Sequence, residues 1–102
     1  MRLLLQFDID ADIIDVPPIV IDKKDILYNQ FFSWLYDQHN NHKYWVNPKK
    51  KSKYGVCYRS GAFIEWLNKK VLKGCKQKAK LLSEYVFDYP DDMARLYFYS
   101  LR

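Results

Sequence analysis

Three carboxylates, Asp8, Asp10 and Asp12, stand at alternate positions directly after the apolar run Leu3–Phe7. In an extended chain that spacing puts all three on one face, and a row of carboxylates is a ligand set for a hard cation. As a calcium loop the series supplies ligand positions one, three and five. Ile13 then falls where glycine makes the sharp turn and Ile19 where a bidentate glutamate closes the shell. As a two-carboxylate magnesium site it lacks an identifiable partner. The simpler reading is a solvated acidic turn. His39 and His42, in H-x-x-H spacing near a helix end, could hold a metal or act as a base, with Asp37 as the nearest carboxylate. The simpler reading there is a pair of surface histidines. Cys57 has no activating neighbour in sequence, and three glycines in the whole chain leave no phosphate loop. A small metal-dependent enzyme is therefore the remote alternative. The chain is expected to be non-enzymatic, with no metal and no cofactor.

The middle of the chain offers a different chemistry. Residues 49–80 hold eleven Lys/Arg against Glu65 alone, a net charge of +10. Residues 1–48 hold four Lys/Arg against seven Asp/Glu, net −3, and residues 81–102 hold two against four, net −2. Lys49, Lys50, Lys51 and Lys53 form one run, flanked by Tyr44, Trp45, Tyr54 and Tyr58. On a helical wheel counted from Phe63 at about 100° per residue, Lys69, Lys73, Lys76 and Lys80 fall between about 220° and 280°, and Trp66 falls beside them at about 300°. Lysines neutralise phosphates with little sequence preference, and aromatic faces stack bases for about 1–3 kcal/mol each. Arg59 alone in this region has the fork geometry for a guanine edge. The combination suits single strands or RNA loops rather than a duplex groove. The plain alternative is that lysine runs are solvated, the aromatics are core, and the acidic ends fold over the basic middle.

These residues need a scaffold. At 102 residues the chain is one domain on size grounds, with a mobile basic loop expected at about 47–53. Hydrophobic residues at 49% and aromatics at 18% favour a packed core over disorder. Cys57 and Cys75 do not make a disulfide framework, and no apolar stretch approaches the ~20 residues of a membrane span. A reduced cytoplasmic setting is the default. The plentiful Lys, Asn, Ile, Tyr and Phe with scarce Ala and Gly match the bias of AT-rich genomes such as phages and low-GC bacteria.

Residues 2–7 read as a buried strand, ending near Asp10 because aspartate is poor in strands. Ile13, Ile14 and Val16 suggest a second short strand, and Pro17-Pro18 is expected to stop any ladder or helix. Leu27, Phe31, Trp34 and Leu35 follow helical spacing, which predicts a helix over 23–39 ended by Asn40-Asn41. Tyr54, Val56 and Tyr58 alternate as a short strand would. Ser60 is a good N-cap for a second helix. That helix either runs on past Gly74 or breaks there into two, and the break is preferred. Tyr89-Pro90-Asp91-Asp92 predicts a helical turn at 90–94, followed by a strand over 95–101 to partner the first. Phe31-Phe32-Ser33-Trp34-Leu35 and Phe63-Ile64-Glu65-Trp66-Leu67 share the pattern F-[FI]-x-W-L, best taken as the seam between two helices, with Trp66 at its margin.

The opening Met1–Asp8 resembles the first strand of small CRISPR-associated ferredoxin-like RNA-binding proteins. The resemblance covers under a tenth of the chain, and no site residue is carried across from it. The reading as a whole is an α+β fold, a small antiparallel sheet with two or three helices on one face, with a mostly helical domain as the alternative. The expected function is sequence-nonspecific nucleic-acid binding by Lys49, Lys50, Lys51, Lys53, Arg59, Trp66, Lys69, Lys73, Lys76 and Lys80. The alternative partner is an acidic protein, the chain then being an inhibitor or immunity-type regulator of a phage or mobile element. No membrane partner is expected.

Overall fold

The structure is a computed structural model and describes residues 1–46 and 55–98 of the chain. The apolar run at the start forms β1 (Arg2–Gln6), and Ile13-Ile14 lie in β2 (Ala11–Asp15). The two pair antiparallel, from Arg2 opposite Asp15 to Gln6 opposite Ala11. Their turn closes where Phe7 N–H donates to the Asp10 carbonyl at 2.8 Å. The turn breaks up the row of aspartates. Asp8 and Asp10 stay in it, while Asp12 enters β2 opposite Leu5, on the face that holds the core.

Pro18 opens the short helix α1 (Pro18–Asp22) rather than blocking it. Proline at the first helical position lacks only an N–H that has no partner there anyway. The next helix, α2 (Lys24–Leu35), ends one turn before His39. Asn40 does serve that end, its side-chain amide donating to the Trp34 carbonyl at 2.8 Å. The third helix, α3 (Ser60–Trp66), widens into a π-helical turn over Leu67–Val71, where Leu72 N–H reaches back to the Leu67 carbonyl at 2.7 Å. The helix then stops, and Gly74 turns the chain at φ +84°, a conformation open to glycine. The expected break near Gly74 is present, but among the described residues no second helix lies beyond it. Residues 80–86 form β3 (Lys80–Val86), antiparallel to β2, so Lys76 and Lys80 do not continue a helical stripe.

The π-turn explains how β3 is started. Asn68 donates from its amide nitrogen to the Ala79 carbonyl at 3.0 Å and accepts from Ala79 N–H at 2.8 Å, a side chain standing in for a strand neighbour. Each such bond contributes about 0.5–1.5 kcal/mol, so Asn68→Ala is expected to lose about 2 kcal/mol. A lowered urea midpoint with an unchanged far-UV spectrum would show it. An unchanged midpoint would mean that Ala79 is held by its neighbours instead.

The last strand, β4 (Arg95–Tyr97), pairs parallel with β1, giving the order β3-β2-β1-β4. The α+β class expected from the sequence is the one observed, with a mixed sheet. The chain must cross β2 and β1 to reach β4. Arg95 fastens that crossing, donating to the carbonyls of Pro90 at 3.1 Å and Asp91 at 2.8 Å, with its guanidinium 5.5 Å from the Tyr89 ring. The segment is a turn at Asp91–Asp92 and not a helix. Leu4 and Ala11, on the sheet face away from the helices, are fully buried, and Leu4 N–H donates to the Ala94 carbonyl at 2.9 Å where the crossing arrives. Residues 55–58 do not join the sheet. They meet Trp45 through one bridge at Val56, with Val46 N–H on the Gly55 carbonyl and Cys57 N–H on the Tyr44 carbonyl. Tyr54 lies outside the described residues.

The core on the helical side is aromatic. Phe31 and Phe63 meet edge to face at 5.1 Å, so the two F-[FI]-x-W-L stretches do form the seam between α2 and α3. Phe98 packs on Phe31, Phe63 and Phe7 at 6.1, 5.4 and 5.6 Å and joins that seam to the sheet. Among the described residues no helix is long and apolar enough to cross a membrane.

Candidate functional site

Asp12 is a buried carboxylate with several hydrogen-bond donors around it. Its side chain is 1% exposed, and Arg59 Nη2 donates to its Oδ1 at 2.6 Å while Arg59 Nη1 donates to Asp10 at 2.9 Å. Tyr85 N–H also donates to Asp12 at 3.1 Å, and the Ser60 hydroxyl reaches it from the first turn of α3. Burial alone would raise the Asp12 pKa. The hydrogen bonds from Arg59, Ser60 and Tyr85 outweigh it and hold the carboxyl below the usual range. The Arg59 guanidinium lies between the rings of Phe7 at 4.3 Å and Tyr85 at 4.6 Å. Tyr85 adopts φ 55°, rare for a non-glycine residue. Backbone strain of that kind persists where the surroundings fix it, here by the bond to Asp12 and the stack on Arg59. The cluster ties the β1–β2 turn, α3 and β3 together.

That geometry corrects the expectation for Arg59. Its two terminal nitrogens are engaged by Asp10 and Asp12 and do not point at an outside base. Trp66 is corrected as well. It is 5% exposed, with its ring packed on Phe31 at 5.8 Å and Phe63 at 6.1 Å, so it is core and not a stacking platform. Trp45 is likewise buried, its indole N–H donating to the Asn40 carbonyl at 2.7 Å.

The histidines do not converge. His42 lies between Trp34 and Trp45, 4.7 and 5.1 Å from their rings. Its Nδ1 accepts from Tyr44 N–H at 3.2 Å, so its Nε2 carries the proton and donates to the Leu35 carbonyl at 2.8 Å. His39 is exposed. Among the described residues no group of three His, Cys, Asp or Glu side chains is placed to hold a metal.

The exposed face of α3 borders two neighbouring clefts. The larger, about 460 Å³, is lined by Lys43, Tyr44, Cys57, Tyr58, Arg59 and Glu65, together with the first turn of α3. The smaller, about 200 Å³, shares Lys43 and Glu65 and continues to Trp34, Trp66, Lys69 and Lys70. Glu65 is the lone acid in both. The Tyr44 hydroxyl donates to its Oε2 at 2.5 Å and Lys69 Nζ to its Oε1 at 3.1 Å. The Tyr44 bond, with help from Lys69, holds the Glu65 carboxyl below its ordinary value, and burial together with Glu65 pushes the Tyr44 hydroxyl well above its own. Three lysines thus face one compensated carboxylate.

Of the remaining predicted residues, Lys69, Lys73, Lys76 and Lys80 are exposed, and among the described residues Lys69 pairs with Glu65. Lys70, Lys73, Lys76 and Lys80 make no ion pair among the described residues. Lys49, Lys50, Lys51 and Lys53 lie outside the described residues. Lys43 and Lys70 were not singled out from the sequence. Lys43 sits beside the aromatic island at Tyr44, but only the fold brings it across to α3. Comparison with protein-family models, curated protein sequences and solved structures finds no match to this chain.

Proposed function

We propose that this protein is a small non-enzymatic binder of single-stranded nucleic acid, held by lysines beside α3 and on the π-turn that follows it, and edged by tyrosines. One observation carries the reading. The two clefts meet at Lys43 and Glu65, and the lysines around and beyond them have no acidic partner but Glu65 among the described residues. A positive groove that tracks a phosphate backbone beside aromatic faces is the usual design for binding single strands without sequence preference. Tyr44 and Tyr58 supply the aromatic edge, and Lys43, Lys69, Lys70 and Lys73 the cations. Arg59 contributes by holding the cleft wall in place.

Binding of a labelled single-stranded RNA or DNA, followed by fluorescence anisotropy, tests this. For about five neutralised phosphates the slope of log K against log salt is about −3.5, so affinity is expected to fall on the order of 100-fold between 50 and 200 mM salt. The triple variant Lys43→Ala, Lys70→Ala, Lys73→Ala is expected to flatten the slope by about 2, or 0.7 per lysine. Absence of binding at low salt would overturn the proposal. Capture of an acidic protein that survives nuclease treatment, with no oligonucleotide binding, would assign the surface to a protein-binding regulator instead.

A further inference from the structure

The free edge of the sheet is unusually bare. Among the described residues β3 pairs with β2 alone and ends the strand order, and every side chain from Lys80 to Tyr85 is exposed. Leu81 and Leu82, with the outer side of the Tyr85 ring, are exposed on β3, and Phe87 just past its end is 72% exposed. Exposed apolar side chains on a strand whose edge is unpaired are what another chain covers. The charges indicate which chain. Lys76 and Lys80 lie on one side of Leu82, and Glu84 and Asp88 at matching distances on the other. If the strand is turned by a two-fold axis through Leu82, Lys80 of each copy meets Glu84 of its mate and Leu82 meets Leu82. Lys76 then lies toward Asp88. A parallel arrangement would instead set lysine against lysine. A two-fold contact requires a patch complementary to itself, and an apolar centre with opposite charges at its ends is such a patch.

We infer that the β3 edge is a homodimer contact, in which two copies of this chain meet antiparallel about Leu82. The register of β3 on β2 slips twice, at Leu82 and again between Ser83 and Val86. Bulges of this kind twist an edge away from long ladders. The contact therefore rests on side chains over a short central stretch, and the two-fold closes it at two copies. It engages Lys76 and Lys80 and leaves Lys43, Lys69 and Lys70 at the α3 clefts. It thus stands or falls separately from nucleic-acid binding.

Sedimentation velocity on nuclease-treated protein, from about 1 to about 100 µM, covers the range of a moderate interface. A concentration-dependent dimer is expected, with Leu82→Glu monomeric throughout. Lys80→Glu or Glu84→Lys alone is expected to weaken the dimer about tenfold, since each places like charges at two symmetry-related points. The double variant K80E/E84K is expected to restore it. All these positions are exposed, and circular dichroism shows whether each variant folds; should Leu82→Glu fail to fold, the charge swap decides alone. A wild-type chain that stays monomeric, or a double variant no tighter than the single ones, overturns the inference and leaves the edge to a different partner.

Discussion

Arg59→Met is expected to lose about 3 kcal/mol of stability, because removing one partner of a buried ion pair strands the other. This is the low end for such a pair, since the Arg59 side chain is partly exposed and screened while its partner is buried. The stranded group is Asp12, whose side chain is 1% exposed. At about 4–8 °C per kcal/mol for a domain near this size, the midpoint of thermal unfolding should fall by roughly 12–24 °C. Methionine keeps much of the packing between Phe7 and Tyr85, so the loss reports mainly on charge. Adding Asp12→Asn should regain most of it, since asparagine still accepts from Tyr85 N–H without carrying a charge. If the double variant is no more stable than Arg59→Met, the stack on Phe7 and Tyr85 is what matters. The pH dependence has a definite sign. The folded-state pKa of Asp12 lies below its ordinary value of 3.8. Its contribution is therefore complete above about pH 4 and is lost as pH falls through the folded value. Without Arg59 the folded pKa rises, so the gap between wild type and Arg59→Met should narrow on acidification. Urea midpoints taken between about pH 7 and pH 3 measure this, and a gap constant with pH would contradict it.

A second large effect is expected at Phe31. Its ring is fully buried and meets those of Phe63, Trp66, Tyr58 and Phe98 within 6.1 Å. Phe31→Ala should cost about 3–5 kcal/mol, the transfer term plus the cavity left behind. Against a total of roughly 5–15 kcal/mol for a domain of this kind, that leaves the chain marginal. Phe31→Leu should cost clearly less, because leucine refills most of the space. Phe32, partly exposed on the adjacent position, is the control, and its alanine variant should lose less than Phe31→Ala. Thermal melts of the three variants order these effects. Similar losses at Phe31 and Phe32 would mean that the seam is not where the core is concentrated.

The two corrections among the site residues share a cause. Arg59 meets partners 47 and 49 positions away, across a hairpin turn that a local pattern does not reveal. Trp66 looked marginal on an ideal wheel, but α2 sends Phe31 far enough across α3 to cover it. Lys70 and Lys43 were missed for the complementary reason, since neither is special until α3 packs beside the 42–46 loop.

The sequence by itself determined the features that depend on short-range periodicity. Leu3–Leu5 as a buried strand, the apolar helix faces that carry Phe31 with Leu35 and Phe63 with Leu67, and Gly74 as a break all arise from neighbours within four or five residues. The exposure of Lys69 has the same origin, because the opposite face of the helix is apolar, whereas Lys73 lies past the helix end in the turn at Gly74. Only the tertiary structure decided what lies beyond Gly74. Leu81–Val86 can satisfy a helical wheel or a strand equally well, and a strand's stability comes from its partner rather than from its own residues. Here β2 supplies the ladder and Asn68, eleven residues back, holds its first rung. That long-range pairing turned a supposed basic ridge into a lysine-lined helix face beside an exposed sheet edge, and it made Asp12, one of a row of possible metal ligands, the buried anchor of Arg59.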